Sequence, residues 1–385
     1  MRHSSFDLAQ PYQRRRWSAK ISGLCVAVCV GVFAADRVGA ARPTGQHAGD
    51  IPVDSGASEA APGRRDEVVQ FGRRLARRNG LDEAWVLAVL EQARLQPRAI
   101  KLVLPAPTGT AKNWAAYRQR FIEPRRIGAG FAFWIAHEAR LRQAEEAYGV
   151  APEVIVGIIG VETLFGRYTG NFRVIDVLVT LGFDFPSGYK DRSPFFRKEL
   201  EQFFVLCHAQ SRDPLEVEGS YAGALGMPQF MPSSFNKYAI DFDRDGQIDL
   251  RHSVADVIGS VARAMYKFGW QHGVPARFDV AAPSGSTERA ILLAPDILPT
   301  FSAKEFTAHG ARLAPAAASY GGKLALVELQ NGAAAASYVA GTENFYAITR
   351  YNRSSYYAMA VIELAEAIGE QRSSLMRQQA IGLGQ

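Results

Sequence analysis

The sequence predicts a mainly α-helical protein with a small β-rich insertion. Three observations carry this reading. From Asp66 to about residue 270, apolar residues recur at three-to-four spacing, the period of helices with one face on a core. After Gly273, Pro and Gly clusters separate short β-like runs, and Asn331-Gly332 lies between two of them as a hairpin signal. From about residue 354 the helical period returns and holds to about residue 369. With 48% hydrophobic residues among 385, the chain can bury a substantial core, and its length suits two or three domains.

The N-terminus reads as an export signal over residues 1–41. Arg14-Arg15-Arg16 and Lys20 form a charged segment, Ile21 to Ala35 an apolar one too short for a usual membrane span, and Val38-Gly39-Ala40 a cleavage site. The alternative is an uncleaved anchor, through which any membrane association would run. Neither Cys25 nor Cys29 follows the small residue that a lipoprotein box wants, and Cys207, alone in the mature chain, is expected to be a packing residue. The net charge of +6 is partly local: residues 1–41 hold six basic and two acidic side chains, leaving 38 and 36, a balance of +2. That makes no case for nucleic acid. Residues 42–65, rich in Ala, Gly, Pro and Ser without an apolar period, read as a flexible linker.

The helices follow in order. Val68, Val69, Phe71 and Leu75 mark one, and Ala84, Trp85, Leu87, Ala88 and Leu90 the next, with Asn79-Gly80 as the stop between them. Lys112 to Leu141 predicts further helix broken near Pro124. Pro152 opens the next helix, where its missing N–H costs nothing. Further helices are expected at about 192–210, 214–218 and 253–270. Leu324 to Leu329 and Ala336 to Ala340 read as strands.

Four segments carry chemistry. Glu162 ends an almost wholly apolar run, Val154 to Val161. A carboxylate there loses hydration, which favours the protonated form that can donate a proton to a leaving oxygen. A structural acid satisfied by a nearby Arg or backbone N–H is the equal alternative on this segment alone. In Ser220 to Phe235, three small or rigid positions, Gly223, Gly226 and Pro228, let backbone approach something bulky. Ser220 and Gln229 offer hydrogen bonds, and Met227, Phe230 and Met231 offer apolar faces, a mixture that suits sugars; ordinary packing at a helix start reads as well on composition. Asp241, Asp243, Asp245, Gly246 and Ile248 have the spacing of an EF-hand calcium loop, with Gln247 offering its backbone carbonyl. Position twelve is His252, which cannot replace a bidentate carboxylate, so Asp256 is the candidate to complete the shell. Three aspartates this close repel one another without a cation, although a solvated acidic turn is the alternative. Finally, aromatics and amides crowd Asn344 to Tyr357, where Tyr351 and Asn352 could reach a cleft or serve as core.

Together these segments resemble the lytic murein transglycosylases of the B type, a family with a lysozyme-like core. The resemblance covers about residues 66–369 and rests on Phe121 to Ile127, Gly160 to Thr163 with Phe165-Gly166-Arg167, Ala222 to Ser234, the aspartate loop and Ile348 to Asn352. It implies an N-terminal helical domain over 66–150, a lysozyme-like catalytic core over 151–273, the β-rich insertion over 274–345 and a return to the core over 346–385. It implies that Glu162 is the single acid and base that cleaves between N-acetylmuramic acid and N-acetylglucosamine without water, giving a 1,6-anhydromuramoyl end. Ser220, Gln229, Tyr351 and Asn352 match positions lining the family's sugar cleft, and Asp241, Asp243, Asp245, Gln247 and Asp256 its calcium site. Met227-Pro228 departs from the pattern, and one extra residue precedes Asp256. A periplasmic monomer acting on peptidoglycan glycan strands is expected, with a structural calcium and no organic cofactor. Asp176, Asp184 and Glu199 are the nearest candidates for a second carboxylate, and none sits in a cleft motif. A hydrolytic muramidase on the same scaffold and a non-catalytic wall-binding protein are the competing readings.

Overall fold

Residues 62–105 and 110–382 are described by a computed structural model. The expected export signal, and the linker up to residue 61, lie outside the described residues. Two helices come first, Asp66–Asn79 and Glu83–Glu91. Gly80 ends the first in the left-handed conformation (φ 65°), and the Asp82 carboxylate caps the second by accepting from the Trp85 N–H. Trp85 then packs edge-on against Phe204 of the Ser193–Ala209 helix, 5.5 Å between ring centroids. The helical stretch expected from Lys112 is two helices, Trp114–Gln119 and Pro124–Tyr148, with Pro124 starting the second and Glu123 capping it.

The Pro152–Thr163 helix that carries Glu162 is buried throughout Val154–Thr163. Its sequence explains this: the run has no polar face, so every side chain needs a neighbour. Those neighbours are the Pro124–Tyr148 helix, the Val254–Lys267 helix and the C-terminal helix Ser355–Gly382. Each fully buried Ile or Val contributes about 1.5–3 kcal/mol relative to exposure. Close packing depends on Gly157, where a Cβ would stand 2.7 Å from the Val361 carbonyl oxygen. The C-terminal helix runs well beyond the expected residue 369.

One local expectation is corrected, and one helix was not expected. Residues 214–218 are not a helix: Asp213 caps a turn by accepting from the Leu215 N–H, and Glu218–Gly219 is a short strand. Labelling strands in chain order, Phe172–Arg173 is β1 and Glu218–Gly219 is β2, an antiparallel pair that ties the start of the 220–235 segment beside the exit of the Glu162 helix. The Val174–Phe183 helix, buried on nearly every side, has no amphipathic period to announce it.

The insertion is a four-stranded antiparallel sheet. Its strands are β3 (Arg277–Ala281), β4 (Arg312–Leu313), β5 (Ala325–Asn331) and β6 (Ala334–Gly341), in spatial order β4-β3-β6-β5. β5 and β6 form the expected hairpin, with Gly332 at φ 65° in its turn. One hydrophobic cluster runs from Val68 through the Glu162 helix to Ile368, whereas the outer part of the insertion has a smaller core around Leu292, Phe306 and Leu326.

Candidate active site

Glu162 stands one residue before the end of its helix and is 5% exposed. Burial raises its carboxyl to about 8, opposed by a hydrogen bond from Tyr357 that favours the ionised form. The Tyr357 hydroxyl donates to Glu162 Oε1 at 2.6 Å. Arg126 donates to the Gly160 carbonyl near the end of the same helix, and its guanidinium lies over Phe121. Arg126 therefore caps the helix and leaves Glu162 near-neutral.

The chain leaves this helix through Leu164 and Phe165, both left-handed (φ 51° and 58°). Thr163 secures the turn. Its hydroxyl donates to the Met227 carbonyl at 2.9 Å and accepts from the Gly166 N–H at 3.0 Å, which locks the end of the helix to the 220–235 segment. That segment is a tight hairpin. Leu225 and Phe230 exchange backbone hydrogen bonds at 2.8 and 3.1 Å, and Gly226 (φ 66°) lies so close to the Leu250 carbonyl that a Cβ would be 2.2 Å from its oxygen. Only glycine fits there.

A cavity of about 250 Å³ opens over Glu162. Gln229, Tyr351 and Asn352 line it with Glu162, as do Phe230, Met231, Tyr238 and Phe268. Gln229 is held by donating to the Thr169 and Gly226 carbonyls, while its buried Oε1 has no hydrogen-bond partner among the described residues and can accept from a ligand. Tyr351 stacks on Tyr357 (centroids 6.2 Å, 13° between planes) and donates to the Pro228 carbonyl at 2.6 Å, joining the C-terminal segment to the hairpin. Ser220 is not in the lining. It is buried, and its hydroxyl accepts from the Ala222 and Ala224 N–H groups at 3.2 and 3.0 Å, which shapes the turn whose Ala224 reaches the cavity.

The sequence did not give the places of Tyr357 and Glu199 in the site. Tyr357 lies 195 residues from Glu162, so only its place in an aromatic-rich segment hinted at a role. Glu199, a candidate second carboxylate by sequence but without a cleft motif, lines the same cavity. Its oxygens accept from the Ser233 hydroxyl at 2.7 Å and the Ser233 N–H at 2.9 Å; burial raises its carboxyl and these two bonds oppose the rise. Asp176 and Asp184 are taken up by Arg173 and Arg65.

The aspartate loop lies behind the hairpin. Carboxylate oxygens of Asp241, Asp243 and Asp256 fall within 4.8 Å of one another. Asp256 accepts from the Phe242 and Asp249 N–H groups at 2.7 and 2.8 Å and is buried, so the ligand least readable from spacing is the best anchored. Asp245 is outside this cluster; its exposed carboxylate accepts from the Gln247 N–H. Gln247 is likewise exposed, and His252 turns away to Asp249. Asp243 Oδ1 is buried without a hydrogen-bond partner among the described residues, the mark of a donor set that suits a hard divalent cation. At the loop's end, the Leu250 carbonyl accepts from the Met227 N–H at 2.7 Å.

Residues 63–366 match the family described as Transglycosylase SLT domain. The chain is 37% identical over 308 residues to the membrane-bound lytic murein transglycosylase B of Escherichia coli K12, covering 78% of this chain and 81% of that protein. Soluble lytic transglycosylase SltB1 of Pseudomonas aeruginosa is 41% identical, with a TM-score of 0.71 over 80% of this chain and 99% of that one. The E. coli lytic transglycosylase Slt35 in complex with calcium is 36% identical, with a TM-score of 0.67 over 79% and 93%.

Proposed function

Because this chain belongs to the Transglycosylase SLT domain family and is a lytic murein transglycosylase with a lysozyme-like helical core, we propose that Glu162 is its single catalytic acid and base. The observation that carries this is a carboxyl raised to about 8 on the wall of a cavity also lined by Gln229, Tyr351 and Asn352. Protonated at neutral pH, Glu162 gives its proton to the glycosidic oxygen as the bond from C1 of N-acetylmuramic acid to that oxygen breaks. The resulting carboxylate takes the proton of the same sugar's C6 hydroxyl as that oxygen bonds to C1. A 1,6-anhydromuramoyl end forms, the proton count balances, and no water is consumed. A hydroxyl already held beside C1 needs no second carboxylate to activate water. Gln229, Tyr351 and Asn352 form the sugar-contacting wall, with Gln229 Oε1 as an acceptor for a sugar N–H or O–H, and Ser220 holds the hairpin that presents Gln229.

The hydrolytic reading has one observation in its favour, Glu199 in the same cavity. Both Glu199 oxygens are occupied by Ser233, which disfavours it as a base for water. Mass spectrometry of digested peptidoglycan separates the two. Anhydro-muropeptides are expected, and products heavier by one water would overturn the transglycosylase step. Glu162→Gln should lower turnover at least about a hundredfold with glycan binding retained.

In the aspartate loop, Asp241, Asp243 and Asp256 would hold a calcium ion, with Asp245 and the Gln247 carbonyl as outer contributors. Its contribution is structural, neutralising the loop behind the hairpin. The protein acts on peptidoglycan as a periplasmic monomer, exported by its N-terminal signal. Among the described residues no helix is long and apolar enough to cross a membrane.

A further inference from the structure

We propose that a second cleft, on the outer side of the turn that leaves the Glu162 helix, binds the terminal carboxylate of a peptide stem carried by the glycan strand. The proposal rests on the transglycosylase reading for its substrate. The cleft has a volume of about 480 Å³ and shares no lining residue with the Glu162 cavity. One wall is Arg125, Ala129 and Ala132, which fall on one face of the Pro124–Tyr148 helix; the other is Leu164, Phe165 and Arg167. Behind Gly166 stands Met227 of the hairpin, so the cleft is attached to the framework of the active site.

Its electrostatics are unbalanced. Arg125 and Arg167 are exposed, and neither guanidinium makes a hydrogen bond or ion pair with a described residue. The nearby Glu123 carboxylate is occupied by the Arg125 backbone N–H and lies 3.9 Å from Arg126 Nε. Neither Arg125 nor Arg167 therefore has a carboxylate partner among the described residues. Arg125 sits in the first turn of a 25-residue helix whose N-terminus is capped by the Glu123 carboxylate, so that acid is already engaged by backbone. An anion between Arg125 and Arg167 would satisfy both guanidinium forks, and the planar fork suits a carboxylate. Successive left-handed, non-glycine residues at Leu164 and Phe165 form the opposite wall; such backbone persists where its surroundings hold it and is common at ligand sites. Ala129 and Ala132 supply an apolar surface in the same wall as Arg125. A short peptide ending in an alanine carboxylate has both parts, and the muramic residues of peptidoglycan carry such peptides.

The test uses the full chain, a stem-bearing strand and a strand stripped of its peptides. Arg125→Ala and Arg167→Ala should each raise KM on the stem-bearing strand about tenfold, leave kcat within about twofold, and change nothing on the stripped strand. In titrations, a free tetrapeptide stem should bind the wild type, and amidation of its terminal carboxylate or the double substitution should abolish binding. An unchanged KM, an equal loss on both strands, binding indifferent to amidation, or equal displacement by inorganic phosphate would overturn the proposal. If the wild type released no anhydro-muropeptides, the transglycosylase step would fail instead, while the tetrapeptide titration would still decide the cleft. Melting temperatures of the variants should match the wild type, because neither side chain has a partner to lose among the described residues.

Discussion

At Glu162 the balance is between desolvation, which favours the proton, and Tyr357, which favours the charge. Desolvation wins and places the carboxyl at about 8. The acid step needs the proton, so kcat/KM should fall on the alkaline side with an apparent pKa near that value. Tyr357→Phe removes the bond that favours the carboxylate, and the alkaline limb should move to higher pH; a limb that stays or moves down would contradict this balance. Stability follows with a definite sign. Between the usual carboxyl value near 4.5 and about 8, the folded state keeps a proton that the unfolded state has released, so stability falls as pH rises. The fall is at most about 1.4 kcal/mol per pH unit. Glu162→Gln lacks this dependence. Its melting temperature relative to the wild type should rise across this window and stay constant below it.

The hairpin and the aspartate loop act as one element. Met227 bonds to the Leu250 carbonyl, and Gly226 lies against it, so the strand that positions Gln229 leans on the end of the loop that would hold calcium. Neutralising three clustered carboxylates stabilises the folded state by mass action. Chelation should therefore lower the melting temperature by at least about 3 °C while leaving the chemical identity of the products unchanged. No shift with chelator would refute a bound calcium. This loop also shows how far spacing reaches. Asp241 and Asp243 stand where the pattern of alternate aspartates predicts, because a short loop closes locally. Asp256 joins them from the next helix, whose direction no spacing rule contains, and Asp245 stays outside the cluster.

In the whole molecule, the main core passes through the N-terminal helices, the Glu162 helix and the C-terminal helix, while the outer part of the insertion has a much smaller core. Local opening needs less free energy where fewer apolar groups are buried. In native-state hydrogen exchange, β3 and β4, which pack on the smaller core, should lose protection before the Pro152–Thr163 helix. Equal protection would mean that the insertion opens only with the core. The Gly and Pro stops, the return of the helical period and the hairpin at Gly332 were legible because each is set by neighbours in sequence. The Val174–Phe183 helix was silent because burial on nearly every side erases its period, and residues 214–218 departed from helix because their end pairs as β2 with a distant segment.

By itself, the sequence determined a mainly helical body with a β-rich insertion, a carboxyl in an apolar helix, an aspartate loop and a set of ordered motifs resembling one family. Periodicity, turn chemistry and motif spacing act within a few residues, so they survive in one dimension. The tertiary structure alone decided what Glu162 touches: Tyr357 as its partner, Arg126 turned to the helix end, Glu199 brought to the same cavity and Ser220 withdrawn into a turn. These depend on desolvation and hydrogen bonds between segments far apart in the chain, and such contacts exist only once the core has closed around them.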